Sequence, residues 1–173
     1  MNYDEAENFW KEKDRTAVRM DPEDLRKEIE AFLSAHKVCA LACAAGDFVR
    51  CTPLEYTYAD GCFYIFSEGG LKFRALRTNQ HVCLAVFEEN PQFGHLKSLQ
   101  ASGIAEVIEP WSEEYLRVLK LRSIPAEALK KLPSPMYLIK VIPEEFDYLC
   151  SDLKQKGFSS RQQLILNQEG IGR

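Results

Sequence analysis

RCTPLEYTYADGCFYIFSEGGLKFRALR, residues 50–77, is the stretch of the chain that decides its fold. It begins with alternating polar and apolar residues, which is typical of a β-strand with one face toward solvent. Asp60-Gly61 then predicts a hairpin turn, because both residue types tolerate positive φ angles. The apolar run CFYIF predicts the returning strand, which ends at the glycine pair Gly69-Gly70.

The glycine pair is followed by a short helix, predicted over residues 71–78, with two cations in its first turn. Glycine lets the backbone approach a ligand closely, and the free N–H groups at a helix start attract anions. Lys72 and Arg74 add positive charge at the same place. The run therefore predicts a candidate phosphate site, although glycine and lysine also occur at such junctions for purely local structural reasons.

The length and composition of the chain exclude several classes of protein. The chain has 173 residues, of which 46% are hydrophobic and 28% are charged, as expected for one globular domain with its own core. A net charge of −4 argues against an extended basic surface for nucleic acid. The apolar runs are far shorter than the ~20 residues that span a bilayer, and the acidic N-terminus does not resemble a signal peptide. We therefore expect a cytoplasmic protein that binds neither nucleic acid nor membrane.

Six cysteines lie mostly within apolar, strand-like runs, where a thiol packs as a small hydrophobic group. The sequence contains no Cys-X-X-Cys pair, and without a secretory signal we expect the thiols to be reduced. The three histidines do not form a ligand cluster with the cysteines along the sequence. We therefore expect no metal site.

Helices are predicted on both sides of the strand region. Asp21 as N-cap and Pro22 at the first helical position begin a helix that extends to about residues 35–37. Its predicted buried face consists of four apolar residues at helical spacing: Leu25, Ile29, Phe32 and Leu33. Ser112 begins a further helix that ends near Arg122. A helical N-terminal arm, over about residues 1–36, includes the first of these helices.

Further strands are predicted around the decisive stretch. VCALACAA, from Val38, is a continuous apolar run that indicates a strand buried on both faces, and Pro53 indicates an edge position or a bulge. The further strands predicted are VCLAVFEE, SLQASGIAEVIE and MYLIKVI. Gly103, inside the second of these, indicates a bulge or a close approach of another backbone. We expect MYLIKVI to be the last strand and residues 143–173 to form a mixed C-terminal extension. A mainly antiparallel barrel in a single domain, residues 1–173, is predicted.

The order of these elements resembles the pyridoxamine 5′-phosphate oxidase-like FMN-binding split-barrel family. The likeness extends from about Leu25 to Ile142. It comprises the arginine-bearing strand, the Asp-Gly hairpin, the strand that ends in an aromatic and a small polar residue, the glycine turn, the lysine, the short helix and the Ser-X-X-X-X-Gly strand. The resemblance implies a mainly β fold, a six-stranded antiparallel split β-barrel with flanking helices, that forms a homodimer with FMN at the subunit interface.

The resemblance also assigns residues to the cofactor. Arg50 and Lys72 correspond to the family's phosphate-binding cations, which suits a dianion that needs charge-assisted partners. Strand residues 50–55 correspond to the segment beside the flavin ring, residues 65–66 to a pair whose backbone touches it, and residues 97–98 to a stretch from the partner subunit. The FMN-binding residues implied in this way are Arg50, Cys51, Thr52, Pro53, Leu54, Glu55, Ile65, Phe66, Leu71, Lys72, Arg74, Lys97 and Ser98.

The sequence also departs from the family pattern. Glu55 stands where the oxidases carry a lysine near the flavin, and Leu71 replaces an arginine for which Arg74 could substitute. The C-terminus lacks the arginine and histidine pattern that holds the substrate phosphate. The resemblance therefore implies an FMN-dependent oxidoreductase of the flavin-reductase or nitroreductase type, with NAD(P)H as candidate donor, rather than a pyridoxamine-phosphate oxidase. A non-catalytic flavin- or haem-binding module and an empty dimeric barrel are the alternatives.

Overall fold

Eight antiparallel strands form a single sheet in the computed structural model, which describes residues 2–166. The strands are β1 (Val38–Ala45), β2 (Phe48–Glu55), β3 (Thr57–Ala59), β4 (Cys62–Ser67), β5 (His81–Phe87), β6 (Lys97–Ile108), β7 (Tyr137–Cys150) and β8 (Arg161–Ile165). They pair in the order β2-β1-β5-β6-β7-β4-β3, and β8 pairs with β7. The predicted split-barrel class is confirmed, although the sheet has eight strands where six were expected.

The helices lie around this sheet. They are α1 (Tyr3–Arg15), α2 (Pro22–Ala35), α3 (Lys72–Leu76), α4 (Glu113–Leu121) and α5 (Ala126–Leu129), and a 3₁₀ helix covers Ser151–Lys156. The start of α2 is confirmed, because the Asp21 carboxylate accepts a hydrogen bond from the N–H of Glu23 at 2.9 Å. Its four predicted apolar residues are all buried. No helix in the described part of the chain is both long and apolar enough to cross a membrane.

The edge position predicted from Pro53 is confirmed, because β2 is the outermost strand on its side of the sheet. The prediction that the VCALACAA strand is buried on both faces is wrong for the described chain. Cys39, Leu41 and Cys43 of β1 face the core, whereas the alternating alanines on the other face are only partly covered. The continuous apolar run concealed this alternation, because alanine is compatible with either environment.

Gly103 marks a bulge, as predicted. The pairing of β6 with β7 shifts register between Ser102 and Gly103. A Cβ atom at Gly103 would lie 2.1 Å from the carbonyl oxygen of Ile142, so only glycine fits this approach of the two backbones. The bulge bends the long β6–β7 pair and helps the sheet to curl.

The predicted end of the last strand is wrong. Instead of ending at Ile142, β7 continues through Pro143 to Cys150, and β8 adds a further strand beside it. Pro143 lies at the bulge opposite Gly103, where proline is tolerated within a sheet. Residues 143–150 and 161–165 of the predicted C-terminal extension therefore belong to the sheet, and residues 167–173 lie outside the described part of the chain.

Two hydrophobic clusters hold these layers together. The larger cluster fills the concave side of the sheet and includes the buried face of α2 together with Phe63, Ile65 and Phe146. The smaller one attaches α4 and α5 to β4 and β7 through Tyr115, Leu119 and their neighbours. The packing of these helices leaves the glycine pair and the start of α3 at one end of the sheet, where the candidate site is formed.

Candidate functional site

Lys72, the first residue of α3, is only 5% exposed. Its Nζ donates a hydrogen bond to the carbonyl oxygen of Gly69 and lies 5.4 Å from the centre of the Phe73 ring. Within residues 2–166, this ammonium has no carboxylate within ion-pairing distance. Burial lowers the pKa of Lys72; the Cys43 side chain raises it, and the positive charge of Arg50 lowers it further. A cation is thus held in a place that disfavours its charge.

The segment from Ser67 to Lys72, which we call the glycine turn, holds this lysine. Gly69 and Gly70 have φ angles of 126° and 105°, which side chains rarely permit. The Ser67 hydroxyl accepts a hydrogen bond from the N–H of Gly69 at 3.1 Å. Behind the turn, a Cβ at Gly69 would lie 3.8 Å from the Tyr137 ring. Tyr137 was not predicted from the sequence, because it reaches the turn only through the pairing of β4 with β7.

Arg50 lies exposed on the edge strand β2, opposite Cys43 of β1. The Cys43 thiol lies 3.7 Å from the carbonyl oxygen of Arg50 and 3.7 Å from that of Lys72, so it connects β2 with the start of α3. The Arg74 guanidinium stacks on the Phe48 ring, 4.6 Å from its centre. The structure thus brings Arg50, Lys72 and Arg74 to one end of the β1–β2 pair.

The other predicted residues of β2 present a mixed surface. Cys51, Pro53 and Glu55 are exposed, while Thr52 and Leu54 are partly buried. Their side chains alternate across an unpaired edge, so the backbone of β2 is open on one side in the described chain.

The predicted residues of β4 and the turn are placed differently. Ile65 lies in the main core, and the Phe66 ring packs edge-on against Tyr115, with ring centres 5.5 Å apart. The Ile65 side chain is therefore closed to a ligand, whereas the Phe66 side chain is partly exposed, and the contact of their backbone with a flavin stays a prediction. Leu71 is 57% exposed at the glycine turn. Its side chain faces solvent, so it supplies no charge in place of the family's arginine.

Glu55 forms an ion pair that the sequence did not indicate. Its carboxylate accepts a hydrogen bond from Arg122, which ends α4, at 2.9 Å. The same guanidinium donates to the Thr57 hydroxyl at 3.2 Å. Glu55 is therefore neutralised by a residue 67 positions away. No local sequence pattern relates two residues at that separation, which explains why the pair was missed.

Lys97 and Ser98 lie far from this group. Ser98 pairs with Phe87 near one end of β5, whereas Cys43, which is next to Arg50, pairs with Val82 near the other end. The Lys97 ammonium lies 5.5 Å from the centre of the Phe32 ring. A single chain therefore does not bring Lys97 and Ser98 to the glycine turn, and their contribution from a second subunit remains a prediction.

The thiols and histidines give no indication of metal chemistry. Residues 2–166 contain no group of three or more His, Cys, Asp or Glu side chains that could hold a metal ion. All six cysteines are free, and burial raises the pKa of Cys39 to about 12. Such a thiol stays protonated at neutral pH and behaves as a packing group.

Solved structures with the same fold include proteins that bind two kinds of ligand. A FAD-binding protein from Mesorhizobium loti is 25% identical, with a TM-score of 0.57 over 70% of this chain and 89% of its own. The haem storage protein HutZ from Vibrio cholerae is 22% identical, with a TM-score of 0.58 over 73% and 92%. ChuZ from Campylobacter jejuni is 17% identical, with a TM-score of 0.64 over 85% and 61%.

The sequence was also compared with curated proteins and with protein families. No curated protein sequence matches this chain. The pyridoxamine 5′-phosphate oxidase family, in contrast, matches residues 25–150, which comprise the sheet from β1 to β7 together with α2 to α5. This match covers most of the chain and includes both the glycine turn and Arg50. The chain therefore belongs to the pyridoxamine 5′-phosphate oxidase family.

Proposed function

We propose that the protein is an FMN-binding oxidoreductase of the flavin-reductase or nitroreductase type that acts as a homodimer. The observation that carries the proposal is the buried Lys72 ammonium beside Arg50, without a carboxylate partner in the described residues. Burying a charge is costly unless an opposite charge compensates it. The neighbouring cation Arg50 increases that cost, so a bound anion would stabilise this end of the sheet.

A terminal monophosphate fits this requirement best. A phosphate near its dianionic state accepts several charge-assisted hydrogen bonds, which Arg50, Lys72 and Arg74 would donate. The open backbone of β2 and the backbone of β4 would lie along the rest of the ligand, and Lys97 and Ser98 of a second copy would complete the site. FMN carries such a monophosphate on a flavin, and the FAD-binding relative supports a flavin as the ligand class.

The flavin, when bound, would supply the electron-transfer chemistry of the reaction. The protein's own residues would anchor the phosphate, orient the ring and control the approach of a small-molecule substrate. NAD(P)H is the electron donor that we propose. We do not expect oxidation of pyridoxamine phosphate, because the C-terminal residues that would orient its phosphate are absent from the sequence.

A second copy of the chain would cover the outer face of β1, β2 and β5. Ala40, Ala42 and Ala44 are only partly buried there, and Val49 and Phe87 are 71% and 55% exposed. Small apolar side chains allow close approach of another backbone, and an exposed apolar patch of this kind often marks an interface. Sedimentation at micromolar concentration should give a dimer, and a stable monomer would contradict the proposal.

The free thiols also support a cytoplasmic location. All six cysteines are unpaired, and several are buried in the core, where they pack as hydrophobic groups. Disulfides are rare in the reducing cytoplasm and common outside it.

Titration with three flavins tests the proposal. The purified protein is titrated with FMN, FAD and riboflavin, and quenching of flavin fluorescence is followed. We expect FMN to bind most tightly, because riboflavin has no phosphate and FAD carries an esterified pyrophosphate. Equal affinities for FMN and riboflavin would contradict a phosphate site at the glycine turn.

A non-catalytic haem-binding module is the second candidate, and His36 is the observation that favours it. Its Nδ1 lies 2.7 Å from the carbonyl oxygen of Phe32, and its Nε2 lies 3.6 Å from Glu88. His36 lines a cavity of about 520 Å³ together with Val38 and Phe87. HutZ, a haem storage protein, supports the same candidate. The visible spectrum after loading with haem, compared between wild type and His36→Ala, distinguishes it from the flavin proposal.

A further inference from the structure

Phe93 lies near the middle of the segment between β5 and β6, residues 88–96, and its side chain is fully exposed. We call this segment the tip loop. Single exposed apolar side chains are common on protein surfaces and need no explanation by themselves. Phe93 differs from such residues in two respects: hydrogen bonds brace the loop that carries it, and the loop leads into two residues of the proposed flavin site.

Hydrogen bonds hold the tip loop at its base. The N–H of Glu88 donates to the carbonyl oxygen of Lys97 at 3.2 Å, which closes the loop. The N–H of Leu96 donates to the Ser151 hydroxyl at 3.0 Å, and the N–H of Ser151 donates to the carbonyl oxygen of Leu96 at 2.9 Å. The loop is therefore attached to the sheet on both sides, and it presents its aromatic ring outward from a defined base.

The tip loop leads directly into Lys97 and Ser98, which we propose to complete the flavin site of a second copy of the chain. Phe93 is four positions before Lys97, so the two Cα atoms are at most ~14 Å apart. Where Lys97 of one copy lies at the glycine turn of the other, Phe93 is therefore brought to the border of the same turn. The inference rests on the proposed function in this respect.

The border of the glycine turn offers an apolar surface. Leu71 is 57% exposed there, and Tyr137 is 38% exposed. The Tyr137 ring packs against the Phe73 ring, with ring centres 4.9 Å apart. Leu71 stands where the family resemblance implies an arginine, so an apolar side chain replaces a charge at this place. A leucine cannot hold a phosphate, but together with Tyr137 it can pack against an aromatic ring that arrives from outside.

The charges of the two regions are complementary. Residues 88–96 contain two glutamates and no lysine or arginine, whereas residues 67–78 contain three lysines or arginines and one glutamate. Arg50 adds a further positive charge at the same end of the β1–β2 pair. Opposite charges favour the approach of the tip loop of one copy to the glycine turn of the other, and like charges disfavour contact between two tip loops.

We propose that Phe93 of each copy packs against Leu71 and Tyr137 of the other copy and covers the glycine turn from outside. In a twofold dimer this contact occurs twice, because each copy carries both the ring and the surface that receives it. The contact keeps water from the edge of the phosphate site and holds Lys97 of the same loop close to it. Phe93 is thus a positioning residue that the second copy supplies.

Photo-crosslinking of the full chain tests the contact directly. In FMN-loaded protein, p-benzoyl-L-phenylalanine replaces Phe93 in an equal mixture of isotopically heavy and light subunits, and mass spectrometry identifies the crosslinked peptides. We expect heavy–light crosslinks that join position 93 to the segments around Leu71 and Tyr137. Crosslinks confined to one copy, crosslinks to other parts of the second copy, or the absence of crosslinks overturn the proposal.

Subunit exchange measures how much the contact stabilises the dimer. Two populations with different fluorophores on an N-terminal tag are mixed, and energy transfer reports the exchange rate. We expect Phe93→Ala and Leu71→Ala each to accelerate exchange at least about tenfold. The double variant should exchange no faster than the faster single variant, because both substitutions remove the same contact. The matched control Tyr3→Ala, an exposed aromatic residue of α1, should exchange as the wild type does.

Sedimentation and flavin titration of the wild type separate this inference from the function on which it rests. A stable wild-type monomer contradicts the homodimeric flavin site itself. A wild-type dimer that prefers FMN to riboflavin, but whose exchange rate is unchanged in Phe93→Ala, overturns only the role of Phe93. Multiplying effects of the two substitutions in the double variant overturn the direct contact between Phe93 and Leu71.

Discussion

The glycine turn and the charged wall of Asp14, Arg19, Asp147 and Arg161, formed by α1 and strands β7 and β8, both collect charged side chains, but only the turn holds a buried cation without an opposite charge nearby. At the turn, Lys72 is buried beside Arg50 without an acid among the described residues. On the charged wall, Arg19 and Asp14 form an ion pair, and burial raises the pKa of Asp147 while the positive charges of Arg161 and Arg19 both lower it. The difference shows which region needs a ligand: an excess of buried positive charge is stabilised by an anion such as a phosphate, whereas charges that compensate one another need no ligand.

Removal of the lysine at the turn should give the largest effect. Lys72→Ala is expected to weaken FMN binding roughly ten- to a hundredfold, since a hydrogen bond to a charged group contributes about 1.5–3 kcal/mol. Riboflavin, which lacks the phosphate, should bind equally well to both proteins. Fluorescence titration measures both affinities. A parallel loss of riboflavin binding would mean that Lys72 holds the turn in place rather than the phosphate.

A smaller effect is expected from the exposed cation of the same group. Arg74→Gln should weaken FMN binding by no more than about fivefold, which corresponds to the ~0.2–1 kcal/mol of an exposed ion pair. Arg77→Gln, one turn further along and exposed, is the matched control and should leave the affinity unchanged. The effect of Arg74→Gln should fade as salt is added. Equal effects of both substitutions on FMN affinity would indicate a general electrostatic attraction by surface charges rather than a phosphate site that includes Arg74.

A substitution at Lys72 that weakens FMN binding should increase the stability of the ligand-free protein. Lys72→Met removes a buried, unpaired charge, and we expect it to stabilise the ligand-free protein by about 1 kcal/mol, or roughly 2–4 °C in melting temperature. Thermal denaturation with and without FMN measures the change, which should reverse when FMN is present, because only the wild type gains the phosphate contact. A destabilised ligand-free Lys72→Met would contradict the view that the lysine is retained for a ligand.

The pH dependence of the same residue gives a related prediction. The folded-state pKa of Lys72 lies below the ordinary value of 10.5, so between these values the unfolded chain binds more protons. The stability of the ligand-free wild type should therefore rise with pH in that window, relative to Lys72→Met. Denaturant titrations of both proteins at several alkaline pH values measure the difference, and parallel pH profiles would contradict the lowered pKa.

The smallest effect is expected for the ion pair that neutralises Glu55. Glu55→Gln removes a pair with Arg122 that is largely exposed on the side of Glu55. Such pairs contribute about 0–1 kcal/mol, so the free energy of unfolding should fall by no more than that. Chemical denaturation measures it, and a loss well above 1 kcal/mol would show that the pair also holds α4 against the sheet.

The two regions also differ in how far the sequence predicts them. The glycine turn follows from local signals: a strand end, two glycines with positive φ, and a lysine at the first helical residue, all within a few positions. The charged wall has no such signal, because its four charged residues come from α1, the segment after it, β7 and β8. The Arg161 guanidinium stacks on the ring of Trp10, which lies 151 positions earlier in the sequence.

The sequence by itself determined the general order of strands and helices from α2 to the first half of β7, the start of α2, the edge position of Pro53, the bulge at Gly103 and the residues of the glycine turn, but not β8. These features depend on hydrophobic period, caps and glycine, which act within a few residues. Only the tertiary structure decided that β7 continues past Pro143, that Arg122 neutralises Glu55 and that Lys97 lies far from Lys72. These outcomes depend on strand pairing and on side-chain contacts between segments that are distant in the sequence. Local sequence patterns do not predict such contacts, because they involve only residues a few positions apart.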